Sequence, residues 1–227
     1  MANIYLVIPA YNEEQAIGKV IRELRAEYGK IIVVDDGSKD ATYDVAVREG
    51  ATALRHLINR GQGAALQTGI QYALLQGAEC IVMFDADGQH RASDIPRRVA
   101  PIERREADIV LGSRFLEPQL GREIPWGRKL VLKLGLFHQW VFSGLKITDS
   151  QCGLRAFSRK AAETINISQD RMAHGSEILD KIARYKFRFT EIPVKVQYTP
   201  YSIQKGQKSV SGSIRILLDF FIGRFVR

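Results

Sequence analysis

The segment FDADGQH, residues 84–90, closes an apolar run, CIVMF, with two aspartates one residue apart. In an extended chain residues i and i+2 point the same way, so Asp85 and Asp87 set two carboxylates on one side of the backbone. Like charges held that close call for a cation. Their hard oxygens suit Mg2+ or Mn2+, and Gln89, again two residues on, adds a neutral oxygen. An ion with so few protein ligands completes its shell with water and substrate phosphates. The competing reading of the same residues is an Asx turn that ends the strand. A second acidic cluster, VVDDGSKD (33–40), offers Asp35 and Asp36 as acceptors for a base or ribose, or Asp36, Ser38 and Asp40 as helix caps. NRGQG (59–63) opens a helical stretch with glycines, which predicts N–H groups around Gly63 facing a diphosphate. It matches neither a P-loop nor GxGxxG, against a kinase or a dehydrogenase.

Such residues need a scaffold that gathers their segments. Apolar, β-rich runs recur at 4–8, 31–34, 52–57, 80–84 and 108–112, with amphipathic helical patterns between them. The clearest helix carries Ala16, Ile17, Val20, Ile21, Leu24 and Tyr28 on one face, with Asn12 and Gln15 as a capping box and Gly29 as its stop. A second runs from about Gly63 to Gln76. The alternation predicts an α/β fold, a mostly parallel sheet flanked by helices. Ligands of such sheets bind outside the carboxyl ends of the strands. PAYNEE (9–14), DDGSKD, NRGQG, DADGQH and GSR (112–114) all fall there.

Beyond Arg114 the pattern changes. Trp126, Leu130, Leu134, Phe137, Val141 and Leu145 recur at helical spacing beside Arg128, Lys129 and Lys133, and Ile214, Leu217, Leu218, Phe221, Ile222 and Phe225 repeat the device at the tail. Both segments are expected to be amphipathic helices at a membrane surface; the alternative is packing on the core or a partner subunit. The chain divides into a main domain, 1–200, with 118–146 as a membrane-facing insert, and a basic loop with a C-terminal amphipathic helix, 201–227.

A length of 227 residues suits one sizeable core, and a net charge of +8 asks for an anionic partner: nucleic acid, a membrane surface or phosphorylated substrates. The cations are spread over helices without aromatic interleaving, which argues against nucleic acid. Two cysteines, Cys80 and Cys152, form neither a disulfide framework nor a zinc spacing, so a reducing compartment is expected. No window has the ~18 uninterrupted apolar residues of a membrane span. The expected location is cytoplasmic, peripheral on the inner face of the membrane.

In this order VIPAYNEE, VVDDGSKD, NRGQG, FDADGQH, GSR and TDSQCGLRAF (148–157) resemble family 2 glycosyltransferases of the GT-A fold, specifically the polyprenyl-phosphate sugar transferases typified by dolichol-phosphate mannosyltransferase. The resemblance covers roughly residues 4–200. It implies transfer of a sugar, with inversion, from a UDP- or GDP-linked donor to a polyprenyl phosphate. It places Pro9, Tyr11, Glu13, Val34 and Asp36 at the nucleotide, and Asp85, Asp87 and Gln89 at a Mg2+ or Mn2+ ion. Arg114 and Arg128 fall at the lipid phosphate, and Asp149 matches an aspartate important for activity. Apart from the resemblance, YSIQKGQKS (201–209) offers Lys205 and Lys208 as diphosphate or lipid-phosphate ligands, or reads as a solvated basic loop. Typical relatives add transmembrane helices after the catalytic part, where this chain carries one short amphipathic segment. A small membrane-protein partner or a homo-oligomer is compatible with that.

Sugar transfer builds positive charge on the ring and negative charge on the departing diphosphate, which a dication offsets. A phosphate acceptor is already anionic at neutral pH and needs orienting arginines more than a base. An alternative acceptor, a saccharide hydroxyl, would need a general base, with Asp149 or Glu177 as candidates. A silent scaffold that recruits a membrane partner is the remaining alternative. His90 and His174 are expected near the substrate or in structural roles, and Trp126 and Trp140 as core or interface anchors.

Overall fold

Five apolar runs become strands where their composition places them: β1 (Ile4–Ala10), β2 (Ile31–Asp35), β3 (Thr52–Arg55), β4 (Cys80–Met83) and β5 (Ile109–Ser113). Between them lie α1 (Ile17–Arg25), α2 (Thr42–Arg48), α3 (Gln62–Leu75) and α4 (Ile95–Glu103). They are followed by β6 (Arg155–Ser158), α5 (Arg159–Thr164), α6 (His174–Arg184) and β7 (Phe189–Pro193). The computed structural model describes residues 2–117, 136, 140, 141, 144–150, 152–171 and 173–195. Arg128, Lys205, Lys208, Trp126 and the apolar stripe at 214–225 lie outside the described residues, as does most of the 118–146 segment.

The strands join one seven-stranded sheet in the order β3-β2-β1-β4-β6-β5-β7. All neighbours are parallel except β6, which runs antiparallel between β4 and β5. Strand residues alternate between two cores because successive side chains leave opposite faces. Leu6, Ile8, Val33, Val82 and Val110 join α1 and α4 on one face, while Val7, Ile32, Val34, Ile81 and Ile109 join α3 and α6 on the other. Coverage of both faces is why these strands read as continuous apolar runs instead of polar-apolar alternations.

The reversed β6 decides the site. Its first residue, Arg155, pairs with Met83, the last of β4, so the 150–155 segment arrives at the same rim as Asp85. Two expectations are corrected. Asn12 and Gln15 form no capping box: Ala16 stands at the cap position without a side-chain bond, and Asn12, at φ 53°, ties the loop after β1 to the loop after β2. Its N–H donates to Ser38 Oγ at 2.9 Å and its Oδ1 accepts from Lys39 N at 2.9 Å. Leu145 is not part of an interfacial helical stripe; it is buried in the α3/α6 core, while Trp140 and Val141 are exposed.

Candidate functional site

Asp85 and Asp87 leave β4 just past its last paired residue and both line a pocket of about 220 Å3 with Gln62, Arg155 and His174. Asp85 Oδ2 lies 3.1 Å from His90 Nε2, and its Oδ1 accepts from Gln62 Nε2 at 3.4 Å. His90 Nδ1 is buried with no partner among the described residues, so the ring proton belongs on Nε2, donating to Asp85. Position 153 must be glycine: a Cβ there would stand 2.4 Å from Asp85 Oδ2. Burial pushes the Asp85 carboxyl up, but the His90 bond and the charges of His90, His174 and Arg155 outweigh it, and the net direction is down. Asp87 goes the other way, to about 6, through burial and the adjacent Asp85 charge. Asp87 also closes the Asx turn, accepting from Gln89 N at 3.0 Å, while still lining the pocket. The Asx turn of the sequence reading is thus present, and the same residue still lines the pocket. Two hard carboxylates under mutual repulsion in one pocket fit a Mg2+ or Mn2+ ion; Gln89 adjoins them through its backbone bond to Asp87. Among the described residues no group of three or more His, Cys, Asp or Glu that could hold a metal ion is assembled.

Pro9 and Val34 pair with each other at the rim of β1 and β2. Glu13 is buried, its N–H donating to Thr42 Oγ1 at 2.8 Å, and Tyr11 is exposed beside them. The residues expected at the nucleotide are therefore gathered, but Asp36 has structural duties. Its buried carboxylate meets His56 Nδ1 at 2.7 Å and accepts from Arg60 N at 3.0 Å and Gly61 N at 2.6 Å. It thereby fixes the turn that starts α3, with His56 also 2.9 Å from Thr68 Oγ1. Capping of α2 falls to Asp40, whose Oδ1 accepts from Thr42 N at 3.0 Å. An Asp36→Asn protein has one acceptor oxygen for three donors, and a urea titration should show it less stable by about 2–3 kcal/mol. The start of α3 is covered rather than open. Ala64 N donates to the Asp170 carbonyl at 3.1 Å, and a Cβ on Gly63 would lie 2.0 Å from the Gln169 carbonyl. Close packing, not exposure of N–H groups to a diphosphate, is the reason for glycine at 63.

At the end of β5, Arg114 is clamped by Asp149. Nε donates to Oδ2 at 2.6 Å, Nη2 to Oδ1 at 2.9 Å, and the Arg114 backbone N to Oδ2 at 3.1 Å. The guanidinium also lies 5.7 Å from the Phe115 ring centroid. Asp149 is held in turn by Glu191 of β7, which takes the N–H groups of Thr148 at 2.9 Å and Asp149 at 3.3 Å, and the Thr148 hydroxyl at 2.9 Å. Ser113 Oγ lies 2.6 Å from Thr148 Oγ1. Glu191 and His56 were not legible as site residues; a glutamate in the short strand FTEIP and a histidine before NRGQG are the only signals. Glu177 does not face the pocket as a base would. It accepts from the N–H groups of Ser168 at 2.9 Å and Gln169 at 2.8 Å and from Lys181 Nζ at 2.6 Å, holding the segment that covers α3. Burial raises its pKa, yet the bonds from Lys181 and Ser168 pull the net below the usual value.

The glycosyl transferase family 2 matches over residues 5–165. The UDP-N-acetylglucosamine–dolichyl-phosphate N-acetylglucosaminyltransferase of Methanococcus voltae is 37% identical, with 92% of this chain and 91% of that protein covered. The undecaprenyl-phosphate mannosyltransferase of Micrococcus luteus is 29% identical over 93% and 88%. Among solved structures, glucosyl-3-phosphoglycerate synthase from Mycobacterium tuberculosis, in complex with Mn2+ and uridine-diphosphate-glucose, superposes with a TM-score of 0.68 at 20% identity, covering 98% of this chain and 79% of that one. The shared architecture is the GT-A fold.

Proposed function

The chain belongs to glycosyl transferase family 2, and from that premise we propose that it moves a hexose or N-acetylhexosamine from a nucleotide-diphosphate sugar to a polyprenyl phosphate. The observation that carries this reading is the pairing of two opposite sites on one rim: carboxylates at the end of β4, and an arginine locked in place at the end of β5. The first suits a metal-bound diphosphate and the second an incoming phosphate. Relatives that act on dolichyl and undecaprenyl phosphates support the acceptor.

The loops after β1 and β2 hold the nucleotide beside Tyr11, and Asp36 fixes the turn below it. Asp85, Asp87 and Gln89 hold the divalent ion, which when bound supplies Lewis acidity to the leaving diphosphate. Arg114 orients the acceptor phosphate, with Arg128, Lys205 and Lys208 as further cations for it. The phosphate oxygen is already ionised, so it attacks the anomeric carbon directly, with inversion, and no protein base removes a proton. Asp149 acts through Arg114 as a positioning residue, which weakens the alternative of a saccharide hydroxyl deprotonated by Asp149. Because the acceptor is a lipid, the rim works at a membrane surface. No helix among the described residues is long and apolar enough to cross one, and the net charge of +8 favours an anionic surface.

Thermal melting with UDP or GDP, with and without Mn2+, tests the donor half: selective, metal-dependent stabilisation is expected. Incubation with polyprenyl phosphate or an oligosaccharide tests the acceptor half. Sugar appearing only on the oligosaccharide would overturn the lipid assignment.

A further inference from the structure

His174, the first residue of α6, lines the pocket below Asp85 and Asp87 and is 8% exposed. Its Nδ1 lies 2.7 Å from the Arg171 carbonyl. A carbonyl only accepts, so the ring proton sits on Nδ1 and Nε2 carries a lone pair. With Nδ1 committed, Nε2 is the polar atom the ring keeps for the pocket. Burial, helped by the Arg155 charge, pushes the imidazole below its ordinary pKa, the direction that favours the neutral ring.

The rest of the pocket shares this bias. Arg155 is buried in its wall, but Nε, Nη1 and Nη2 donate to the carbonyls of Cys152, Gly175 and Ser150. Gln62 spends an amide N–H on Asp85, and with Asp85 and Asp87 given to the ion, His174 is left as an acceptor in the pocket. The ligand that complements it carries an O–H donor. Size narrows it further: pockets for drug-sized ligands run to roughly 300–1,000 Å3, whereas this one, at about 220 Å3, has room for one ring and not for a nucleotide sugar. Its lining includes the carboxylates of Asp85 and Asp87, where a metal-bound diphosphate would join that ring.

We infer that Nε2 of His174 accepts a hydrogen bond from a hydroxyl of the transferred sugar, so that His174 reads the sugar of the donor and not its nucleotide. The inference rests on the transferase reading above. The Nδ1 bond to Arg171 makes this acceptor rigid, which a merely structural histidine would not require of its second nitrogen.

The test compares two variants by calorimetry in Mn2+, titrating UDP and GDP against UDP-N-acetylglucosamine, UDP-glucose and GDP-mannose. Both His174→Leu and His174→Gln lose the anchor to Arg171, but glutamine returns an acceptor oxygen near the position of Nε2. For the sugar nucleotide that the wild type binds, His174→Leu should lose about tenfold in affinity relative to the bare nucleotide. His174→Gln should recover most of that loss. Equal weakening of sugar nucleotide and bare nucleotide, or equal behaviour of the two variants, overturns the role of His174 while leaving the transferase reading intact. If the wild type binds none of the sugar nucleotides, the transferase reading fails, and this inference with it.

Discussion

An Asp149→Asn protein is expected to lose about 100-fold in kcat with lipid phosphate while its affinity for a nucleotide with Mn2+ stays within twofold. The carboxylate takes three N–H groups of Arg114, from Nε, Nη2 and the backbone. Asparagine keeps one oxygen and turns an amide donor toward the guanidinium. The Arg114 side chain is only 11% exposed and that of Asp149 is fully buried, so the substitution strands a cation in a low-dielectric site. Breaking such a pair costs about 3–5 kcal/mol, and a guanidinium titration should find the loss near the lower end because one bond survives. Arg114→Lys should fall as far in kcat, since a point charge cannot meet both carboxylate oxygens and hold a fixed plane. The pH–rate profile separates this from general-base catalysis. A positioning residue lowers the whole profile without changing its shape; a base would take the acidic limb with it. Loss of that limb in Asp149→Asn would restore the saccharide-hydroxyl acceptor.

That clamp also shows where the sequence stops being readable. The strands β1, β2, β4 and β5 were legible because each is apolar on both faces, whereas the edge strand β3, TALR, gives a weaker signal; the chemistry at the strand ends was legible because ligands gather at carboxyl ends. Asp149 and Arg114 are 35 residues apart, and nothing local says that the two join. They meet because β6 turns back between β4 and β5, and β6 is only RAFS, too short for a periodic signal and opened by an arginine that looks like a surface residue. Arg155 is in fact buried, satisfied by the carbonyls of Ser150 and Cys152 just before it and by that of Gly175, which only the fold brings to it. The same holds for Asp36, where the sequence offers a nucleotide acceptor or a cap for the next helix. The structure commits its carboxylate to the turn after β3, a contact 24 and 25 residues away. Side-chain type announced these residues as polar and buried at a rim; only tertiary pairing says which of them are left for a ligand.

Asp85 and Asp87, the carboxylates proposed to hold the metal, should answer to mutation with opposite signs in the free protein and the same sign in function. Asp85 is ringed by favourable partners, with His90 3.1 Å and Gln62 3.4 Å from its oxygens and the Arg155 charge nearby. Asp85→Asn removes the charge that these groups face and should lower the melting temperature of the metal-free chain by several degrees. Asp87 sits under the repulsion of Asp85, with Glu13 adding to it. Asp87→Asn removes that repulsion and keeps an oxygen for the Gln89 N–H, so the metal-free chain should melt at the same temperature or a few degrees higher. In function the two converge. On the proposed function each loses a charge that holds the ion, so any stabilisation by UDP or GDP that depends on Mn2+ should disappear in both. Sugar transfer should fall by about 1,000-fold, the several kcal/mol that a Lewis acid contributes at a departing diphosphate. An inactive Asp87→Asn protein that has lost its Mn2+-dependent stabilisation is the diagnostic result, because an aspartate that served only the Asx turn would keep that turn as asparagine and leave both metal response and transfer intact.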